Sequence, residues 1–235
     1  MHIPDGFLSN QVNFSLLAAS FLVASVAFKK VKNSLFEKSK AFSNQLMTNV
    51  GASIGLKSEI LTLEKNANKK LQQMALVASF IFAAQMINFP VANGTSGHLI
   101  GGVLAAVVLG PWAGMLVISV VLAIQAIMFG DGGIIALGAN ILNMGVIATI
   151  GGYYFYFFIK KIFKNENIAI ALAGWISVVM AAIFCSLELA FSKTISFALV
   201  MPDMVFIHML IGIGEALITV LALMFLFSKD KSYGN

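Results

Sequence analysis

Residues 168–190 read IAIALAGWISVVMAAIFCSLELA, with one charged side chain, Glu188, in the whole run. A helix of about 20 apolar residues crosses the ~30 Å hydrocarbon core of a bilayer, so this stretch predicts a membrane span. Working outward, six further apolar segments follow the same pattern, at 14–28, 74–89, 98–109, 111–129, 134–159 and 204–227. The composition agrees. Of 235 residues, 59% are hydrophobic and only 11% charged, with a mean hydropathy of +0.92, where soluble domains carry about a quarter charged residues. The expectation is an all-α, polytopic membrane protein: a seven-helix transmembrane bundle forming one integral domain over 1–235, with the lipid bilayer as its surroundings. The first three segments are short for a span, the third most of all. Broken or half-buried helices of that kind occur where backbone lines a site.

All 15 cations are lysines. With the N-terminus outside, fourteen of them fall on the inner pieces (29–73, 160–167 and the tail from 228), and Lys193 alone lies outside. This bias orients the bundle N-terminus outside, C-terminus inside. It also accounts for the net charge of +5 without nucleic acid. The stretch 29–73 reads either as a cytoplasmic loop with partial helix or as an interfacial helix against anionic lipid. The single Cys185 permits no internal disulfide and reads as a small core residue.

The chain begins Met1-His2-Ile3-Pro4-Asp5-Gly6. With His2 in second position, one segment offers a metal three nitrogens: the Met1 amine, the His2 backbone nitrogen and the His2 ring Nδ1. Binding all three closes a five-membered and a six-membered ring, both low in strain and close to one plane. Planar nitrogen ligation suits Ni(II) or Cu(II) rather than tetrahedral Zn(II), and the ligands must give up their protons. A bulky second residue predicts that Met1 is retained, and no basic leader precedes the first apolar run. Pro4-Asp5-Gly6 is a turn signature, and Pro4 holds Ile3 extended. The tripeptide is thereby a stiff arm that can fold back into the bundle.

The fourth nitrogen is sought on the same face. In Gly94-Thr95-Ser96-Gly97-His98, Thr95 or Ser96 is expected to cap the third helix, placing His98 on its first turn with a neutral ring. Deeper, His208 and Glu215 share one face of the last segment. Intramembrane ionisable residues are functional candidates. They are read as supports to the site or as a buried pair that fixes helix packing. Glu188 is expected at the interface. Asn140, Asn143, Asn88 and Gln85 are expected to hydrogen-bond between helices, and Asp131-Gly132-Gly133 to form an outer turn. No GxxxxGK[ST] cradle, HExxH pair or nucleophile elbow occurs, so nucleotide hydrolysis and hydrolase chemistry are not expected in this chain.

Several of these stretches together resemble the CbiM/NikM family, the substrate-binding membrane (S) components of energy-coupling-factor (ECF) transporters for cobalt and nickel. They are MHIPDGFLS at 1–9, FIFAAQM at 80–86 with Asn88-Phe89-Pro90-Val91, GTSGHL at 94–99, LGPW at 109–112, Phe129 with Asp131-Gly132-Gly133, GAN at 138–140, Asn143-Met144 and IGIGE at 211–215. The resemblance implies seven helices with the N-terminal loop inserted. It implies metal held by the Met1 amine, the His2 backbone and ring nitrogens and the His98 ring, with Ni(II) or Co(II) as transported substrate and no cofactor. It also implies partners: a transmembrane coupling (T) subunit, a small auxiliary membrane subunit and cytoplasmic ATPases, in a prokaryotic inner membrane. The segment 29–73 is longer than the family leads one to expect. Planar geometry leans to nickel, although the family serves both ions. Two other classes of function compete: an intramembrane metalloenzyme using His208 and Glu215, and a metal-free channel or solute transporter.

Overall fold

The computed structural model describes residues 1–46, 53–91 and 95–232, the side chains of 36–46, 53–66, Pro90, Thr95 and 227–232 excepted. Its elements are α1 (Asn10–Leu46), α2 (Ser53–Gln85), β1 (Asn88–Val91), β2 (Thr95–His98), α3 (Gly102–Leu109), α4 (Pro111–Ile124), α5 (Leu137–Asn140), α6 (Gly152–Phe163), α7 (Glu166–Phe191) and α8 (Phe197–Ser232). A π-helical turn, Gln125–Phe129, extends α4, and a π-helical run, Ile141–Gly151, joins α5 to α6 without a break. Sequence chemistry sets the boundaries. Pro111 starts α4 at its first position, where a missing N–H costs nothing. Asn165 caps α7 by accepting from the Ile168 N–H at 3.1 Å, with Glu166 complementing the helix dipole in the first turn.

Among the described residues, five helical stretches are long and apolar enough to cross a membrane: Asn10–Leu35, Pro111–Phe129, Leu137–Phe163, Glu166–Phe191 and Phe197–Leu226. Each of the seven apolar segments overlaps a helix, but seven spans do not follow from that. α3, at 8 residues, reaches only about 12 Å. The outer surface is apolar in the manner of a lipid-facing one: Phe21 is 69% exposed, Phe158 63% and Phe191 75%.

Two expectations are corrected here. Positions 29–73 are not mainly loop: α1 runs on to Leu46 and α2 begins at Ser53, with residues 47–52 outside the described ones. Nor do Thr95 and Ser96 cap the third helix. β1 and β2 instead pair antiparallel, Asn88 with His98 and Val91 with Thr95. α3 starts only at Gly102, behind a left-handed Gly101 and with no side-chain cap. The alternation that marks a strand is hidden in a segment this short and this rich in small residues.

The core brings the first residues inside. Met1 and Ile3 are fully buried in one cluster with Ile81, Ile100, Ile118 and Met144. One close approach fixes the neighbourhood. A side chain on Gly138 would overlap the backbone of Leu17, and Ser20 donates its hydroxyl to the Gly138 carbonyl at 2.5 Å. α1 and α5 thus meet backbone to backbone, as small residues allow in membrane bundles, two residues ahead of Asn140.

Candidate metal centre

The N-terminal arm is clasped rather than loosely packed. Pro4-Asp5-Gly6 makes the expected turn, with Gly6 at φ 86° and Phe7 N–H donating to the Pro4 carbonyl at 3.4 Å. Asn140, on α5, grips Ile3 from both sides. Its Oδ1 accepts from the Ile3 N–H at 2.9 Å and its Nδ2 donates to the Ile3 carbonyl at 3.2 Å. The same carbonyl accepts from Gly133 N–H at 2.9 Å. Asp5 accepts three backbone N–H groups, from Ile134 at 3.1 Å, Ile135 at 2.8 Å and Ala136 at 3.1 Å. Thr194, beyond α7, donates to the Phe7 carbonyl. The loop 130–136 is therefore the arm's mould. Gly132 sits at φ 93°, which disfavours any side chain, and a Cβ there would lie 2.9 Å from His2 Nδ1.

This clasp delivers three of the anticipated groups to one place. The Met1 amine lies 3.5 Å from Ser96 Oγ, and the His2 N–H donates to that hydroxyl at 3.3 Å. The His2 and His98 rings stand edge to face with centroids 4.4 Å apart. His2 is 3% exposed and His98 wholly buried. His98 ends β2 instead of starting a helix. Its Nδ1 donates to the Leu99 carbonyl at 2.6 Å, which leaves Nε2 with its lone pair, buried and without a hydrogen-bond partner. A ring fixed by a carbonyl at one nitrogen, with the other free, is the arrangement of a metal-ligating histidine. His2 differs from expectation in one respect. Its Nδ1 faces the Asp131 carbonyl at 2.7 Å and the Asp131 carboxylate at 3.2 Å, and Nε2 is the unpartnered atom. Chelation through Nδ1 requires the ring to turn about its Cβ–Cγ bond.

Burial sets the protonation. Removal from water pushes the Met1 amine from its ordinary 8.0 down to about 4, so the docked amine is neutral and has a lone pair at neutral pH. Burial likewise holds the His98 imidazole well below its usual value, helped by the Met1 amine and His2 nearby. The cause is desolvation, not the helix terminus anticipated. Hydrogen bonding to His2 lowers the Asp131 carboxyl. Among the described residues, no three His, Cys, Asp or Glu side chains converge on a point where an ion would sit.

Deeper, His208 is buried, its Nδ1 2.7 Å from the Met204 carbonyl and its Nε2 unpartnered. It lies behind β2, with Cε1 3.5 Å from where a Gly97 Cβ would be. Both carboxylate oxygens of Glu215 are taken by backbone: the Ile100 N–H and the Gly101 N–H, each at 2.8 Å. This links α8 to the segment carrying His98 through both carboxylate oxygens. Thr95 shares β2 with Ser96. Glu188, expected at the interface, is 6% exposed among the helices, accepting from Asn143 Nδ2 at 2.7 Å. Gln85 donates to the Ile100 carbonyl at 2.8 Å and Asn88 to Asp131 at 3.3 Å. The sequence reading missed Asp5, Asp131 and Asn140 as site residues. DGG and GAN carried the signal, but a turn and an interhelical amide accounted for them equally well.

The family model described as the cobalt uptake substrate-specific transmembrane region, CbiM, matches residues 43–232. The chain belongs to the CbiM family. This CbiM-family chain is 37% identical over 221 residues to a putative fused nickel transport protein NikMN of Archaeoglobus fulgidus, covering 93% of this chain and 63% of the relative. It is 35% identical over 189 residues to a probable fused nickel transport protein LarMN of Lactiplantibacillus plantarum, covering 80% of this chain and 48% of the relative. It thus spans less than two thirds of either. A cobalt transport protein CbiM of Acetoanaerobium sticklandii is 28% identical over 178 residues, 73% of each chain. The crystal structure of a truncated transition metal transporter superposes with a TM-score of 0.80 at 33% identity, over 97% of this chain and 99% of that one. These are metal transport proteins, not enzymes, so the metalloenzyme reading of His208 and Glu215 falls. Glu215 bonds backbone through both oxygens, which gives it a structural role.

Proposed function

We propose that this chain is the substrate-capture membrane component of an ATP-driven Ni(II)/Co(II) uptake transporter. The ion is held by the Met1 amine, the His2 backbone and ring nitrogens and the His98 ring. The observation carrying this is the buried meeting of arm and β2: amine and amide both at Ser96 Oγ, 3.5 and 3.3 Å away, beside two imidazoles 4.4 Å apart. The ion displaces Ser96 from the two backbone nitrogens, takes the already neutral amine and deprotonates the amide. The His2 ring leaves Asp131 to join it. Four nitrogens then surround the ion in a plane, which favours nickel while admitting cobalt. Ser96 and Thr95 shape the strand beside the ion, His208 backs β2, and Glu215 holds residues 100–101 under His98.

The lysine asymmetry, fourteen to one, supports the site facing outward in a prokaryotic cell membrane. Release inward is driven by a coupling subunit and ATPases, with a small auxiliary membrane subunit alongside. The names of the fused nickel and cobalt transport relatives support that cargo. Isothermal titration of the purified chain with Ni(II) and Co(II) tests the reading. Wild type binds one ion tightly, and His2→Ala, His98→Ala or one residue added before Met1 abolishes binding. Tight Ni(II) binding by the extended chain refutes the chelate.

A further inference from the structure

At the end of the bundle remote from the arm lies a second polar recess. Lys30 is about 30 Å along α1 from Asn10, at 1.5 Å per residue. There α1 and α2 meet the turn between α3 and α4 around a cavity of about 150 Å³, lined by Lys30, Ser34, Lys70, Gly110, Pro111 and Trp112 among others. Lys70 Nζ donates to Ser34 Oγ at 3.3 Å, bridging α2 to α1. Lys30 Nζ sits 3.8 Å above the Trp112 ring, a cation–π contact that fixes the ammonium in place. Neither lysine pairs with a carboxylate among the described residues. The floor is bare: a Cβ built on Gly110 would meet nothing within 4 Å. Below it α4 begins, and the first N–H groups of a helix lack internal partners and favour an anion.

Two lysines that pair with no carboxylate among the described residues, beside a helix start, call for a negative ligand. The rim says which kind. Val31, Leu109 and Trp112 complete the lining, and Phe28, 61% exposed, continues an apolar surface along α1. An occupant therefore meets charge at one end and hydrocarbon at the other. Basic pockets between membrane helices on the lysine-rich side accept acidic headgroups. We propose that this cavity binds the phosphate of an anionic phospholipid, its acyl chains lying against α1. The inference does not depend on the metal reading.

Native mass spectrometry of the full, delipidated chain tests it, with phosphatidylglycerol and phosphatidylcholine titrated separately. The first phosphatidylglycerol should bind about 25-fold tighter than phosphatidylcholine, since each of the two lysines near an acidic headgroup contributes on the order of a factor of five. K30Q/K70Q should bring the two lipids to parity, and K30R/K70R should keep the preference. K29Q/K32Q, the same loss of charge on neighbouring exposed positions, should also keep it and controls for folding. Equal binding of both lipids by wild type overturns the proposal. So does an equal loss in K29Q/K32Q, which would mean a diffuse surface potential. Displacement of the lipid by millimolar inorganic phosphate overturns it too, because the site would then take free phosphate.

Discussion

Asn140→Ala removes the clasp on the arm while touching none of the nitrogens proposed as ligands. Asn140 is 1% exposed and makes two hydrogen bonds to Ile3. Alanine leaves the Ile3 N–H buried without an acceptor, at a cost of about 1–3 kcal/mol, and deletes a second bond worth about 0.5–1.5 kcal/mol. The carbonyl keeps Gly133, so no second orphan arises. The sum, roughly 2–4 kcal/mol, shifts the docked-to-undocked ratio of the arm by about 30- to 1,000-fold. Apparent affinity falls in proportion once the competent state is a minority. Isothermal titration with Ni(II) should show up to that loss, and hydrogen exchange should show the Ile3 amide losing protection. The melting temperature should change little, because the helical frame is intact. Titration within two-fold of wild type, with Ile3 still protected, refutes the clasp.

Three further outcomes follow from the geometry. Gly132→Ala forces a side chain onto His2 Nδ1, 2.9 Å away, at a backbone of φ 93°; Ni(II) binding should drop at least about ten-fold, given about 1–3 kcal/mol for a residue in a strained backbone region. Glu215→Gln presents an amide NH₂ to one of two N–H groups at 2.8 Å; an orphan donor costs about 1–3 kcal/mol, so thermal stability should fall and Ni(II) affinity with it. The docked amine has its pKa lowered from 8.0 to about 4, so the undocked arm binds a proton that the docked arm lacks. Docking is then fully stable above pH 8 and weakens by about 1.4 kcal/mol per unit as pH falls toward 4. Hydrogen exchange of residues 1–8, corrected for intrinsic rate, should show less protection at pH 5.5 than at pH 8; equal protection counts against the buried neutral amine.

What the sequence made legible was governed by long-range composition and by self-contained chemistry. The span at 168–190 needed only its apolar length, and it stands as α7. The arm needed only Pro4-Asp5-Gly6 and His2, and it docks beside His98 as anticipated. The pairing of β1 with β2 was hidden because it depends on a partner, not on either strand alone. The roles of Asp131 and Asn140 were hidden because both bond to the arm across more than 125 residues of chain. No local pattern encodes such a contact. The bond from Asn143 to Glu188 was hidden for the same reason, since the amide belongs to a different span.

The backbone contact of Leu17 with Gly138 has a mechanical meaning. Where two helices touch without intervening side chains there is no compliant layer, and rotating one drags the other. Asn140 follows Gly138 by two positions. A torque applied to the lysine-bearing half of α1 is therefore transmitted as by a rigid axle to the amide that grips Ile3, so a push at one membrane surface can loosen a grip near the other.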